Sequence, residues 1–99
     1  MMPWRGRRSG RRWIQFNPIF MSFAPIGRPP TGKTLLFLSE LEAMRLVDLE
    51  NLTQEEAAIR MGISRKTLWT DLQKGRAKLI NAILNGNMIE IIPDQIMNE

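Results

Sequence analysis

The sequence predicts a mainly α fold: a helix-turn-helix, preceded by an extended segment with short strands and followed by one short C-terminal strand. Three observations predict it. Two helix-start signals, Thr53 and Ser64, stand eleven residues apart with a single glycine, Gly62, between them, a spacing that packs a short helix against a longer one at a steep angle. Leu68, Leu72, Leu79 and Ile83 then recur at helical spacing. Upstream, Ser39-x-x-Glu42 reads as a capping box opening a further amphipathic helix.

In chain order, residues 1 to 12 form an Arg/Gly-rich arm with almost no apolar content, the composition of a flexible tail. From Trp13 to Phe23 the apolar residues are mostly aromatic or β-branched and are broken by Pro18, so extended pieces are expected. Pro25, Gly27, Pro29, Pro30 and Gly32 make a turn-rich linker, and Leu35 to Leu38 is a short run suited to a buried strand. Residues 13 to 38 thus precede a helical unit over 39 to 86. In its first helix Leu41, Met44 and Val47 follow at three-residue spacing, and Asn51 is a left-handed stop. Thr53-x-x-Glu56 caps the second helix, whose Ala57, Ala58 and Met61 face inward. Gly62 supplies the turn, Ser64 caps the third helix, and Asn85-Gly86 ends it. Gly75 in its middle costs about 1 kcal/mol relative to alanine and suggests a kink. In the remaining stretch, 87 to 99, Met88 to Ile92 reads as a strand and Pro93 onward as a tail.

Composition excludes several kinds of chemistry. With no cysteine and no histidine among 99 residues, there are no disulfides and no zinc or iron–sulfur site of the usual kind. Nucleophilic catalysis would lack an imidazole base, so no enzyme, cofactor or metal is expected. Neither a signal peptide nor a run of eighteen apolar residues is present, which predicts a cytoplasmic protein without a membrane span. The net charge of +4 is unevenly spread. Residues 1 to 39 hold seven cations and no acid, while residues 40 to 99 hold seven cations and ten acids. Five of those later cations lie between Arg65 and Lys78, so basic charge gathers in the arm and the third helix, as a polyanionic partner requires.

Gly27 to Thr34 matches the phosphate-loop pattern G-x-x-x-x-G-K-[ST]. Such a loop cradles phosphates with successive backbone amides, and Pro29 and Pro30 have none to give. A separate helix start at Ser39, and too little chain for a parallel sheet with crossover helices, also speak against nucleotide binding. A linker with an exposed lysine is the simpler reading.

Glu42 to Glu50, Leu52 to Ala58 and Met61-Gly62-Ile63-Ser64-Arg65 closely resemble a small prokaryotic family of uncharacterised proteins. Its members are predicted to bind DNA through a helix-turn-helix like region four of sigma factors. Arg11-Arg12, Pro18, Phe23-x-Pro25-x-Gly27 and Asn85-Gly86 match in order, so the resemblance covers residues 11 to 92. Three departures stand out. Many members carry cysteines where this chain has Trp13 to Asn17, so metal or redox sensing through them is absent. Asp71 stands where the pattern has an apolar residue, and Trp69 replaces a polar residue on the reading face.

The resemblance implies a non-enzymatic DNA-binding protein, a transcriptional regulator whose helix from Arg65 enters the major groove. Ser64, Arg65, Lys66, Trp69, Thr70 and Gln73 would face the base edges; Arg65 suits guanine and Gln73 adenine. Thr53 and Gln54, at a helix N-terminus, suit phosphate, and Lys74, Arg76 and Lys78 add further phosphate contacts. Arg5, Arg7, Arg8, Arg11 and Arg12 suit the minor groove, with a solvated tail as the plain alternative. Trp13, Phe16, Phe20 and Phe23 are expected in the core or at a dimer contact rather than as base-stacking platforms. A homodimer on a palindrome is expected, joined through the apolar N-terminal segment or the strand Met88 to Ile92. The alternatives are a protein-interaction module docking on RNA polymerase or another regulator, or RNA binding through the Arg/Gly arm.

Overall fold

The computed structural model describes residues 12–94. The chain runs β1 (Ser22–Phe23), β2 (Lys33–Phe37), α1 (Leu38–Met44), a π-helical turn (Arg45–Leu49), α2 (Gln54–Met61), α3 (Arg65–Asn85) and β3 (Met88–Ile92). The architecture is α+β rather than mainly α, because the short strands form one sheet. Its order is β1-β3-β2, with β3 antiparallel to β1 and parallel to β2. Leu36 and Ile91 are register partners, and both are buried. A parallel pair needs a long crossover, and the three helices between β2 and β3 provide it. The expectation that the chain is too short for such a crossover is therefore corrected: one parallel pair fits.

This pairing moves the start of the first helix. β2 leads directly into Leu38, so Phe37 is the cap residue, and its backbone N–H donates to the Glu40 carboxylate at 3.0 Å. The Ser39 N–H donates to Asp94 at 2.8 Å, an acid supplied from beyond β3. Glu42 does not fold back on Ser39. It points inward, accepts from the Gln15 N–H at 3.1 Å and pairs with Arg45. Asn51 has φ 63, the left-handed stop expected of it.

The second and third helices begin where their caps predict. Thr53 accepts from the Glu56 N–H at 3.0 Å and its own N–H donates to the Glu56 carboxylate at 2.9 Å, closing the box reciprocally. Ala57, Ala58 and Met61 are buried, and Gly62 adopts the left-handed φ of 67. Ser64 accepts from the Thr67 N–H at 3.0 Å. α3 then runs unbroken through Gly75 for 21 residues. Its buried stripe is Leu68, Leu72, Gly75 and Ala82, with Leu79 partly buried against the core. Ile83, expected to continue that stripe, is 65% exposed. Alternation of three- and four-residue steps carries the stripe to Ala82 and turns Ile83 out. Leu46, Met61, Leu68 and Leu72 form the fully buried centre, where the π-helical turn, α2 and α3 meet.

Candidate nucleic-acid interface

α2 and α3 are joined by the three residues Gly62, Ile63 and Ser64, so the first turn of α3 begins just beyond the end of α2. Because Leu68 and Leu72 are fully buried, the helical period turns Lys66, Trp69, Thr70 and Gln73 to the opposite side, with Arg65 at its margin. Arg65, Lys66 and Trp69 are exposed, and Thr70 and Gln73 are half-buried. Thr70 donates its hydroxyl hydrogen to the Lys66 carbonyl at 3.1 Å, one turn back. Ser64 is occupied as the cap, and its hydroxyl also donates to Thr67 at 2.9 Å. Thr53 is likewise closed into its box with Glu56, while Gln54 is half-buried in the first turn of α2. Among the described residues Arg65, Lys66 and Lys74 form no ion pair, leaving three unneutralised cations on the first half of α3.

The other basic residues of this group are differently placed. Arg76 pairs with Asp48 at 2.7 Å, linking α3 to the π-helical turn. Lys78 donates to the buried Glu40 at 2.8 Å and lies 4.2 Å from the Phe37 ring centroid, a partly buried position that serves the α1 cap. Both were expected at phosphates; each is instead drawn to an acid of a neighbouring element. Arg12, expected in the arm, is a third such case. Its guanidinium grips Asp71 through two bonds of 3.0 Å, with the carboxylate side chain only 8% exposed. Arg5, Arg7, Arg8 and Arg11 lie outside the described residues.

The Arg12–Asp71 pair belongs to an arrangement that sequence reasoning missed. Residues 12 to 16 form a strap over the helices. The Trp13 N–H donates to the Met61 carbonyl at 3.0 Å, and the Trp13 ring lies so close over Gly62 that a Cβ there would stand 2.8 Å from it. Ile14 packs on the core, the Gln15 N–H reaches Glu42, and Phe16 lies 5.5 Å from the Arg45 guanidinium. The signal for this strap was Asp71 itself: an acid in the stripe position of a buried helix face needs a cation, and Arg12 supplies it.

Burial pushes the Asp71 carboxyl above the usual carboxylate range, and nearby Asp94 and Glu40 add to the effect while Arg12 opposes it. The folded protein therefore holds this proton more tightly than the unfolded chain. That contribution is fully present below the ordinary carboxylate pKa and is lost as pH rises through the raised value. Thermal melts of the native protein and Asp71→Asn between pH 7 and about 4 should show their gap moving in favour of the native protein on acidification. A gap moving the other way contradicts this ordering of forces.

Trp13, Phe16, Phe20 and Phe23, expected in the core or at a dimer contact, are not in the core. Phe20 is largely exposed, and Phe23, Trp13 and Phe16 are about half exposed. β3, offered as a dimerising strand, has β1 on one side and β2 on the other, so its edges are already used. The phosphate-loop match is absorbed into the fold. Lys33 and Thr34 open β2 rather than a helix, and Lys33 pairs with Glu90 at 2.9 Å. Thr31 donates to the Asn85 carbonyl at 2.6 Å, tying the linker to the end of α3. Among the described residues no cluster of acids could hold a metal ion, and no helix is long and apolar enough to cross a membrane.

A family model described as "Protein of unknown function DUF134" matches residues 2–95. The chain is 44% identical over 92 residues to a UPF0251 protein of Pyrococcus furiosus, covering 90% of this chain and 85% of that one. It is equally 44% identical over 89 residues to a UPF0251 protein of Methanosarcina acetivorans, covering 88% and 80% of the two chains. A UPF0251 protein of Methanococcus maripaludis matches at 44% over 89 residues, 88% of this chain and 68% of that protein. No solved structure matches the chain.

Proposed function

The chain belongs to the DUF134 family of proteins of unknown function, and for this member we propose non-enzymatic binding of double-stranded DNA, with α3 as the helix that enters the major groove in a sigma-region-four-like helix-turn-helix. The observation that carries the reading is a partition of charge along α3. Among the described residues Arg76 and Lys78 are neutralised by acids of the same molecule, whereas Arg65, Lys66 and Lys74 are not, and Trp69 stands exposed beside them. A cation left without an internal partner costs nothing in water, and it gains from displacing the counterions condensed on phosphate. Base reading falls to Arg65, Lys66, Trp69 and Gln73, with Thr70 contributing its half-buried edge. A regulator of transcription, held in the cytoplasm and binding as a homodimer, is the role that fits.

The test is a mobility-shift titration of duplex DNA across a series of salt concentrations. The native protein should show a steep negative dependence of log affinity on log salt. Arg65→Ala/Lys66→Ala should weaken binding at least about tenfold, since each good base contact is worth ~1–3 kcal/mol. Unchanged affinity in that double variant rejects α3 as the reading helix.

A second reading is supported by the far half of the same helix. Ile80, Ile83 and Leu84 are exposed at 55%, 65% and 78%. No charge interrupts residues 79–87. Apolar side chains in that density suit a protein partner, such as polymerase or another regulator, better than a phosphate backbone. Absence of duplex binding at low salt favours this reading.

A further inference from the structure

The apolar far half of α3 is one end of a larger face, along which three hollows lie in a row. The first, between the end of α3 and β1, has Ile83 and Phe23 on its walls; the second shares Phe23 and runs to Phe16 and Leu41; the third shares those two and reaches Leu49 and Leu79. The fold brings these parts together. Phe23 is the register partner of Ile89, which packs against the core, so Phe23 points to the helix side of the sheet from its outer strand β1. Ile80 and Leu84, one turn apart on α3, flank Ile83. Among the described residues nothing covers Phe20, Phe23, Leu49, Ile80, Ile83 or Leu84, and each exposes more than half of its surface. At about 180 Å² for a large side chain, that leaves roughly 700 Å² of open apolar surface. The largest such patch on a typical monomer is ~300–600 Å², and each partner in a stable interface contributes ~800 Å².

We propose that this face joins two copies of the chain about a two-fold axis, with Ile83 of α3 and Phe20 and Phe23 of the N-terminal segment among its principal contacts. The inference rests on the homodimer in the reading above and gives that dimer a surface. Charge favours a second copy over a different protein. Neither residues 13–27 nor residues 79–89 contain a charged side chain. The ions that border the face are already paired, Arg45 with Glu42 and Glu50, and Arg76 with Asp48. A foreign partner is steered and held in register by complementary charge, and this face offers it none. A two-fold contact sets one surface against itself, where free charges risk meeting their like, so an uncharged face with a paired rim suits it. The position also leaves the start of α3 free. Ile83 lies ~27 Å along the helix from Arg65, at ~1.5 Å per residue, so the contact keeps Arg65 and Lys66 open in both copies.

The mass of the full-length protein in solution, read by light scattering over a dilution series without DNA, tests this. The native protein should have twice the mass of one chain. Ile83→Glu should raise the dissociation constant at least about a hundredfold, because the two-fold places two unpaired carboxylates in one apolar contact. Its side chain is open in the single chain, so the variant should fold, which a thermal melt checks. Phe20→Asp, on the N-terminal side of the face and equally open, should act alike and decides the matter if Ile83→Glu does not fold. Ile59→Glu, exposed on α2 and outside the three hollows, should leave the dimer intact. A native protein that stays a single chain overturns the inference and the homodimer together. A dimer that survives both Ile83→Glu and Phe20→Asp, or is lost equally in Ile59→Glu, overturns this face and leaves the homodimer. Duplex binding by the same samples is scored separately: a native dimer that binds no duplex at low salt overturns the DNA reading and leaves the interface intact.

Discussion

Arg45→Ala is expected to cost about 3–5 kcal/mol of folding stability, the range for removing one partner of a buried ion pair. Glu42 has a side-chain exposure of 2% and receives both Arg45 bonds, at 2.8 and 3.0 Å. Without the guanidinium it keeps only the Gln15 N–H, and a carboxylate so enclosed has no water to turn to. Phe16 also loses the cation above its ring, and Glu50 loses its partner at 3.3 Å, but these groups are more exposed and contribute less. Small domains have only about 5–15 kcal/mol in total, so the variant should unfold at markedly lower urea. Arg60→Ala, at an exposed position on α2, should change little and serves as control. The pair Arg45→Met/Glu42→Leu should recover most of the loss, because apolar side chains of similar size satisfy a buried site without desolvating charge. A single-variant cost below about 1 kcal/mol would mean that water reaches Glu42 and that the strap is dispensable there.

Glu42 also shows what local sequence reading sees and where it stops. The box Thr53-x-x-Glu56, the stop at Asn51, the turn at Gly62 and the cap at Ser64 were all legible, since each is decided within four residues of chain. Ser39-x-x-Glu42 has the same local form and fails. β2 pairs with β3 from the far end of the chain and feeds straight into Leu38, and Asp94 takes the Ser39 amide. Glu42 is then free to serve the strap. The sheet escaped notice for the same reason, because β1 has two residues and its register is set wholly by β3. In the candidate site, the exposure of Lys66 and Trp69 followed from helical period, while Arg65, on the stripe side by period, is exposed as the first residue of α3. What period could not show was which cations the fold consumes. Arg12, Arg76 and Lys78 are bound to acids 59, 28 and 38 residues distant in sequence. Those pairings narrow the unpaired basic surface of α3 to its first half, and they turn Asp71 from a flaw in an apolar stripe into an attachment point for the strap.

Gly75 is a second place where the fold reverses a local expectation, and a β-branched side chain there should have a large effect on stability. A glycine in mid-helix suggests a kink, yet α3 is continuous there. Its role is to admit α1. A Cβ at this position would stand 2.9 Å from the Met44 methyl, 3.1 Å from the Glu40 carbonyl oxygen and 3.2 Å from the Glu40 Cβ. The methyl can swing aside, but the carbonyl belongs to the α1 backbone and moves only with the helix. Gly75→Ala therefore sets a helix-propensity gain of about 1 kcal/mol against an overpacking cost of about 1–3 kcal/mol, for a net loss of roughly 1 kcal/mol. Gly75→Val adds two methyl groups that have nowhere to go and brings a β-branched side chain into the helix. It should cost upwards of about 3 kcal/mol and force α1 away from α3, carrying Glu40 from Lys78 and loosening the buried Met44. Met44→Leu in the Gly75→Ala background, which withdraws the terminal methyl while keeping most of the buried volume, should return part of the loss, whereas no side-chain change can clear the Glu40 carbonyl. Gly86→Ala gives the contrast, since a Cβ there meets nothing within 4 Å and only its φ of 69 resists substitution, a cost of about 1 kcal/mol. Urea denaturation of the four variants checks the order. If Gly75→Ala instead gains the full propensity increment, α1 and α3 are not held in contact at this point, and the fixed orientation of α3 must come from the strap and the α2 turn alone.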